Sequence, residues 1–334
     1  MIENLWVVIT TINSPTKAVI DFSKITTRMG WKLLIVGDTK TPDDFKDVDC
    51  KYLSFHEQKQ NYKKFANLVP EKHYSRKNIG YIYAIENGAE WIFDTDDDNI
   101  PYKNFSETIT SKIKSKTVSS ERFVNVYKYF THENIWPRGL PLSEIQTIGI
   151  MSDNTILKDV SILQFLADKD PDVDAIYRLV NNSEVIFDKN SDSISLESGT
   201  WSPFNSQATL FNKNSFRSMY LPCYVPFRMT DIWRSFVAQV VLWSKGDCLT
   251  FSTSNVLQER NAHDFTLDFE DEVLGYLNNK KICENIEMYS CKEKSVSNII
   301  LSCYKEMQKL NLIDDIEFEI IAEWNTLLDD LNIH

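Results

Sequence analysis

The residues best suited to chemistry form a short acidic run at positions 94–98 (DTDDD), followed by 99–101 (NIP). The run comes directly after an apolar segment, 91–93 (WIF), that is typical of a short buried strand. Four carboxylates within five residues repel one another, so their placement at a strand end requires a compensating cation. Carboxylate oxygens are preferred ligands of Mg²⁺, Mn²⁺ and Ca²⁺. The run therefore predicts a divalent metal site.

Three functional interpretations of the acidic run compete. A calcium-binding EF-hand loop requires Gly at its sixth position and Glu at its twelfth, where this chain has Asn99 and Phe105. A DxDx[TV] phosphatase strand fits Asp94 and Asp96 but requires Thr or Val in place of Asp98. A glycosyltransferase DxD motif, in which acids at a strand end hold a metal against a nucleotide-sugar diphosphate, fits both spacing and context. We favour this third interpretation over a solvated acidic turn.

Alternating strand and helix patterns position these acids. Residues 5–11 (LWVVITT) and 31–36 predict strands, and residues 18–25 and 76–87 carry apolar side chains at helical spacing. Strands that alternate with helices predict an α/β fold with a mostly parallel sheet flanked by helices. Ligands of such sheets bind beyond the carboxyl ends of the strands, and the acidic run lies at such an end.

The rest of the chain has a more mixed pattern. From about residue 271 onward, two apolar stripes at helical spacing predict a helical tail. Between these regions the pattern predicts strands at 123–130, 184–187, 208–211 and 248–252, helices at 155–167 and 231–243, and a polar, aromatic-rich loop at 199–205.

Composition excludes several classes of protein. The 334 residues are 43% hydrophobic and 25% charged with only 9 Gly and 10 Pro, which excludes disordered and fibrous chains. A net charge of −12 argues against nucleic acid as a partner. Six cysteines without a CxxC pair predict neither a disulfide framework nor a zinc site. No segment has the pattern of a membrane span or signal peptide, so we expect a cytoplasmic chain.

Five motifs in order along the chain resemble those of the STELLO-type glycosyltransferases, a GT-A-like family associated in plants with cell-wall polysaccharide assembly. The matches spread over roughly residues 5–270 and leave the helical tail uncovered. The chain departs from the plant proteins because we see no membrane anchor. The motifs are 36–42 (VGDTKTP), 74–80 (YSRKNIG), 91–101 (WIFDTDDDNIP), 136–142 (WPRGLPL) and 231–235 (DIWRS).

The resemblance implies a GT-A-type fold in three parts. These are a nucleotide-sugar-binding half (1–115), an acceptor-binding half (116–270) and a C-terminal helical appendage (271–334). It implies Mn²⁺- or Mg²⁺-dependent transfer of a sugar from a nucleotide-sugar, expected to be UDP-linked, to a glycan or other hydroxyl acceptor, with inversion. One alternative is a non-catalytic binding or assembly protein of a polysaccharide-synthesising complex. The other is a sugar nucleotidyltransferase, which is weakened because this chain lacks the Gly-rich phosphate loop expected near the first strand.

The resemblance and the chemistry together assign roles on the donor side. Thr10, Thr11, Asn13 and Asp38 would line the nucleoside pocket, where an Asp can accept the imide N–H of uracil. The structural alternatives are helix capping for Asn13 and a turn for Asp38. The remaining donor-side assignments are Arg76, Lys77 and Arg260 to the diphosphate, Asp94 to the ribose, and Asp96, Asp98 and His263 to the metal, with Asp97 able to replace either acid.

On the acceptor side, Asp231 resembles the late acid that serves as general base in inverting GT-A enzymes. Its structural alternative is an N-cap of the following helix. Trp201 lies in a polar loop, so we predict that it stacks against sugar rather than packing in the core. Asn205 and Gln207 in the same segment are expected to bind sugar hydroxyls.

Overall fold

Branched and aromatic residues form one sheet at the centre of the fold. The computed structural model describes residues 2–181, 183–259, 264–290 and 295–333. Eleven strands within these residues belong to the sheet. They are β1 (Leu5–Thr11), β2 (Lys32–Gly37), β3 (Lys51–Leu53), β4 (Trp91–Thr95), β5 (Asn99–Pro101), β6 (Lys112–Ser119), β7 (Ile150–Asp159), β8 (Ile162–Asp168), β9 (Ser193–Leu196), β10 (Ala208–Asn212) and β11 (Leu249–Gln258).

The sheet has the strand order β3-β2-β1-β4-β10-β8-β11-β9-β6-β7, with β5 paired to β11. The first four strands in this order are parallel to one another. Antiparallel pairing begins at β10, which lies between β4 and β8 and places Thr209 opposite Asp94. The α/β, GT-A-like fold predicted from the sequence is confirmed, in a mixed sheet.

Helices cover both faces of the sheet. Short 3₁₀ segments connect several of them, including Tyr74–Arg76 and Phe227–Met229. The α-helices of the described residues are α1 (Lys17–Met29), α2 (Phe55–Asn61), α3 (Lys63–Leu68), α4 (Lys77–Glu86), α5 (Phe105–Thr108), α6 (Ala175–Val180), α7 (Thr230–Lys245), α8 (Phe265–Ile286), α9 (Val296–Lys309) and α10 (Asp315–Asp330).

Strand β1 shows why the central strands are apolar throughout. Leu5 and Val7 belong to the hydrophobic core that contains residues of α1. Trp6 and Val8 belong to the opposite core, which contains residues of α4 and of α7 to α10. Because successive side chains point to opposite faces and both faces are covered, both sets have to be apolar.

Two of the predicted elements are wrong. Residues 155–167 form the end of β7 and most of β8 instead of a helix, because β8 is buried on both faces and its apolar run shows no alternation. Residues 123–130 contain a 3₁₀ helix, Val126–Tyr129, that the Asn125 side chain caps, and only Phe123 makes a strand-like bridge. Residues 184–187 contribute a single bridge between Val185 and Lys169.

The two predicted halves share the sheet, since β10 of the second pairs with β4 of the first. The helical tail begins at Phe265 and packs its apolar residues into the core that α7 also lines. The division into three parts stays a prediction. None of the helices in the described ranges has the length and apolar content needed to cross a membrane.

A buried acid fastens the tail to the loop that follows β10. Glu317 of α10 accepts hydrogen bonds from the backbone N–H groups of Cys223 and Tyr224, each with a contact of 2.9 Å, and from the hydroxyl of Tyr220. Burial raises the pKa of Glu317, while these three donors lower it. The same loop accepts a hydrogen bond at Leu221 O from Asn78 of α4. Glu317 thus connects the tail to the helix beside the cavity described below.

We predict that Glu317→Ala destabilises the protein by about 3 kcal/mol or more, because it leaves three buried donors without an acceptor. The measurement is the free energy of unfolding from urea titration. Glu319→Ala, an exposed residue of the same helix, is the control and should change that energy by less than about 0.5 kcal/mol. Equal effects of the two variants would contradict the structural role of Glu317.

Candidate active site

A cavity of about 400 Å³ opens at the carboxyl ends of β1, β2 and β4. This is the edge at which parallel strands present ligand-binding loops. The start of α7 and the loop before β10 also contribute to its lining. Ten of the residues selected from the sequence line it: Thr10, Thr11, Asn13, Asp38, Arg76, Asp96, Asp98, Asn205, Gln207 and Asp231.

The buried ammonium group of Lys77 holds the start of the acidic run. Its Nζ lies 2.9 Å from Asp94 Oδ1, 2.9 Å from the carbonyl oxygen of Thr95 and 2.9 Å from Asp96 Oδ1. Burial lowers the pKa of Lys77, but the two carboxylates outweigh it and raise the pKa above its usual value. The Arg234 guanidinium lies 3.7 Å from Asp94 on its other side. Lys77 and Arg234 therefore supply much of the positive charge that compensates the carboxylates of Asp94 and Asp96.

Two assignments from the sequence need correction here. Asp94 has no exposed surface and is not among the lining residues, so it is not placed to meet a ribose. Lys77 is equally buried, and its three N–H groups point at protein oxygens, so it is not placed to meet a diphosphate.

The other three acids differ in their surroundings. Asp96 keeps 41% of its side-chain surface exposed to the cavity. Burial of its carboxyl raises the pKa of Asp96 to about 7; Lys77 opposes this effect, and the carboxylates of Asp98 and Asp94 add to it. Asp98 accepts a hydrogen bond of 3.1 Å from Gln258 Nε2. Asp97 accepts hydrogen bonds from Thr11 Oγ1 and Asn13 Nδ2, which tie the acidic loop to the end of β1.

The predicted nucleoside pocket is built from turns at the ends of β1 and β2. Asp38 accepts hydrogen bonds from the N–H of Thr39 at 2.6 Å and from the N–H of His73 at 3.2 Å. Thr41 Oγ1 accepts from the Asp38 N–H and donates to the carbonyl of Thr11, joining the two strand ends. Asp38 is therefore a turn residue that also lines the cavity.

Asn13 does not cap helix α1. Thr16 is the N-cap of α1, and its Oγ1 accepts from the N–H of Val19 at 3.3 Å. Asn13 instead donates to Asp97. The capping alternative for Asn13 is thus wrong.

Arg76 lines the cavity with its guanidinium held by neighbouring elements. Nε lies 2.8 Å from Gln58 Oε1, Nη1 lies 3.2 Å from the carbonyl of Val69, and the group stacks 4.7 Å from the Phe55 ring centre. Burial lowers the pKa of Arg76. Gln58 also donates to the carbonyl of Gly37, so these contacts support the end of β2.

On the opposite side, a second buried cation joins two carboxylates. Arg138 donates to both oxygens of Asp172 at 2.8 Å and to both oxygens of Asp231 at 3.0 Å. Burial lowers the pKa of Arg138, but the two acids outweigh it and raise it well above its usual range. Asp231 also accepts from the N–H of Ser206 at 3.1 Å, and its own N–H donates to Tyr74 Oη at 2.9 Å.

Asp231 lies in the first turn of α7, whose N-cap is Met229, so the N-cap alternative is wrong. The sequence analysis missed Arg138 and Asp172. Arg138 carried a usable signal, because a charged residue between Pro137 and Gly139 interrupts an apolar run. Asp172 carried none that distinguished it from an ordinary loop acid.

Trp201 is fully buried, and the prediction that it stacks against sugar is wrong. Its ring centre lies 4.4 Å from that of Trp243 and 6.0 Å from that of Phe236, both on α7. Asn205 and Gln207 of the same segment do line the cavity. Asn205 Nδ2 donates to Asp172 Oδ2 at 2.9 Å, and Gln207 Nε2 donates to Gln258 Oε1.

Two further assignments, Arg260 and His263, lie outside the residues that the structure describes. Among the residues it does describe, no group of three or more His, Cys, Asp or Glu side chains is arranged to hold a metal ion. In the described part of the cavity a metal ion would therefore have fewer than three such side chains as ligands, and the assignment of Asp96 and Asp98 stays a prediction.

Comparisons with known proteins agree on one family. The family model described as STELLO glycosyltransferases matches residues 228–333. "Probable glycosyltransferase STELLO2" of Arabidopsis thaliana is 25% identical over 342 residues, covering 96% of this chain and 44% of the relative. "Probable glycosyltransferase STELLO1" of the same plant is 28% identical over 264 residues, covering 72% of this chain and 34% of the relative. The chain is thus similar to the STELLO glycosyltransferases over most of its length.

The chain spans less than half the length of these two STELLO relatives. The STELLO family match begins at Arg228 and includes Asp231 and helices α7 to α10. The helical tail, which the sequence motifs left uncovered, is therefore part of the STELLO similarity.

We predict that Lys77→Met lowers the free energy of unfolding by about 3–5 kcal/mol, because the buried carboxylate of Asp94 and the partly exposed one of Asp96 lose their shared cation. Adding Asp94→Asn should recover part of the loss, since it removes one of the two negative charges. Lys63→Met is the control, because Lys63 is exposed and, like Lys77, is the first residue of a helix. A double variant as unstable as Lys77→Met alone would contradict this account.

The cavity residue His73 predicts a measurable pH dependence. Its burial lowers the pKa from 6.5 to about 4, with Asp38 opposing, so the native state favours the neutral ring. Stability from this group is present above pH 6.5 and is lost as the pH falls toward 4, by up to about 2 kcal/mol at pH 5. Between pH 7.5 and pH 5, we expect the free energy of unfolding of His73→Gln, measured by urea titration, to fall by about 2 kcal/mol less than that of the wild type.

The contributions of other titrating groups to the pH dependence of the unfolding free energy cancel when His73→Gln is compared with the wild type. Burial raises the pKa of Asp174 to about 6, which has the opposite effect on stability, but wild type and variant share it. His56→Gln, at an exposed position, is the control and should leave the pH dependence unchanged. If His73→Gln and the wild type lose equal stability, the ring is not buried as a neutral group.

Proposed function

We propose that the chain is a metal-dependent glycosyltransferase that moves a sugar from a UDP-sugar to a hydroxyl of a glycan or other acceptor, with inversion. The observation that carries this proposal is the shared cavity. Asp96 and Asp98, the polar ends of β1 and β2, and Asp231 all line one space at the carboxyl ends of parallel strands. Similarity to the STELLO glycosyltransferases supports the reaction class.

The two cavity-lining acids of the DxD spacing fit a hard divalent cation. Mg²⁺ is usually held by one or two carboxylates together with substrate phosphates and water, so a complete cage of protein ligands is not required. Asp96 and Asp98 would supply those carboxylates to Mn²⁺ or Mg²⁺, and His263 is our candidate for a further ligand. A cation bound there stabilises the negative charge that develops on the departing diphosphate.

For the donor, the turns at the ends of β1 and β2 support a nucleoside site. Thr10, Thr11, Asn13 and Asp38 line this part of the cavity. Uracil offers an imide N–H, and a carboxylate such as that of Asp38 has lone pairs beyond the two that backbone N–H groups occupy. These features support UDP over nucleotides whose bases lack this donor.

Inversion requires a base on the acceptor side. We assign this role to Asp231, which takes the proton of the acceptor hydroxyl as its oxygen attacks the anomeric carbon and the bond from that carbon to the diphosphate breaks. Arg138 orients the Asp231 carboxylate, and its positive charge is shared between Asp231 and Asp172.

A second candidate function is a non-catalytic binding protein with the same fold. It is favoured by one observation: Asp231 already accepts from two Arg138 nitrogens and the Ser206 N–H, while Lys77 pairs with Asp96. A carboxylate offers about four lone-pair directions, so few remain on Asp231 for a substrate proton. The measurement of turnover below separates the two functions.

We predict that Asp96→Asn lowers Mn²⁺-dependent hydrolysis or transfer of UDP-sugars by about a hundredfold or more, because a ligand of the metal loses its charge. It should also weaken Mn²⁺-dependent binding of UDP in calorimetry, a readout that needs no turnover. Asp153→Asn, an exposed acid on β7, is the control and should change neither quantity.

The products of this experiment test the mechanism as well. Inversion gives a product whose anomeric configuration, read by NMR, is opposite to that of the donor. UDP binding that depends on Mn²⁺ and Asp96, with no turnover for any donor and acceptor, would support the binding protein. UDP binding that is indifferent to Mn²⁺ and to Asp96→Asn would refute the metal assignment.

A further inference from the structure

Three rings form a continuous aromatic wall along one side of the cavity. We use "aromatic wall" for His73, Tyr74 and Phe227, all of which line it. The rings of His73 and Tyr74 are stacked, with centres 5.6 Å apart and planes at 10°. Phe227 meets both edge to face, at 71° to His73 with ring centres 5.1 Å apart and at 70° to Tyr74 with ring centres 4.9 Å apart. These edge-to-face contacts fix the orientation of the Phe227 ring.

Phe227 is unusually exposed for a side chain held so firmly. It keeps 44% of its surface accessible, and only one other phenylalanine in the described ranges, Phe269 at 37%, is exposed to a similar degree. Phe269 lies on α8 and does not line the cavity. An accessible aromatic ring in the wall of a cavity, with its orientation fixed in advance, is a feature of ligand sites.

The aromatic wall runs from the donor side to the proposed base. At one end the N–H of His73 donates to Asp38. At the other end Tyr74 Oη accepts from the N–H of Asp231 at 2.9 Å. Phe227 precedes Asp231 by one helical turn and belongs to the 3₁₀ segment Phe227–Met229 that leads into α7. Phe227 is therefore close along the chain to the first turn of α7, which carries Asp231, and its ring contacts Tyr74 as well as His73.

Pyranose rings match this surface chemically. One face of a pyranose carries mainly C–H groups, which are attracted to the negative face of an aromatic ring, while its hydroxyls point outward. Amide side chains suited to bind hydroxyls, those of Asn205 and Gln207, line the same cavity. We propose that Phe227 of the aromatic wall is the acceptor subsite, on which a pyranose ring of a glycan stacks with a hydroxyl directed at Asp231. This inference rests on the proposed glycosyl transfer and specifies its acceptor class.

The test measures oligosaccharide and nucleotide binding separately. Fragments of β-glucan, xylan and mannan, and UDP with Mn²⁺, are titrated calorimetrically into the wild type and into Phe227→Ala, Phe227→Leu and Phe227→Tyr. We expect Phe227→Ala and Phe227→Leu to raise the Kd of the tightest-binding oligosaccharide about tenfold, and Phe227→Tyr to change it less than about threefold. The Kd of UDP should stay within about twofold in all variants.

Phe269→Ala is the matched control and should leave both ligands unaffected, and near-ultraviolet circular dichroism checks that each variant is folded. Three outcomes would overturn the inference: no oligosaccharide binds the wild type, Phe227→Ala leaves oligosaccharide binding intact, or it weakens UDP instead. The last outcome would assign the aromatic wall to the nucleobase. Failure of the proposed function is distinguishable, because it appears as absent UDP binding or turnover in the wild type.

Discussion

The ammonium group of Lys77 and the two carboxylates it joins set the geometry of this end of the sheet. Lys77 opens α4, Asp94 lies in β4, and Asp96 lines the cavity just beyond, so three nitrogen–oxygen contacts of 2.9 Å fix a helix, a strand and a loop relative to one another. In a buried setting these charges interact strongly, and none of the partners can be removed without leaving a charge uncompensated. The position of Asp96 in the cavity is thus settled before any ligand arrives.

Arg138 repeats the same device across the cavity. It is buried, and both carboxylates that it joins, Asp172 and Asp231, line the cavity. Each buried cation therefore holds at least one acid in a fixed orientation at the cavity surface. Preorganised charges of this kind need little reorganisation during a reaction, and this shared arrangement fixes the positions of Asp96 and Asp231 in the cavity.

Sequence reasoning located the cavity well and the contacts within it poorly. The ends of β1, β2 and β4 were predictable, because apolar runs stop abruptly at polar residues such as Thr11 and Asp38. The partners of Lys77 were not, since nothing local links it to Asp94. The prediction for Trp201 was wrong because its loop is polar in sequence, yet Trp201 packs against α7. The aromatic wall was not predicted, because Phe227 approaches His73 and Tyr74 only in the folded chain.

The place of β10 in the sheet has a consequence for how the protein reaches its native state. This strand separates β4 from β8 and pairs with the very residues that carry Asp94, although the two segments are far apart along the chain. Loop closure over such a distance is entropically demanding and slows folding. During synthesis on the ribosome, the N-terminal parallel strands emerge before β10, so this edge of β4 has no partner strand until residues 208–212 have left the exit tunnel.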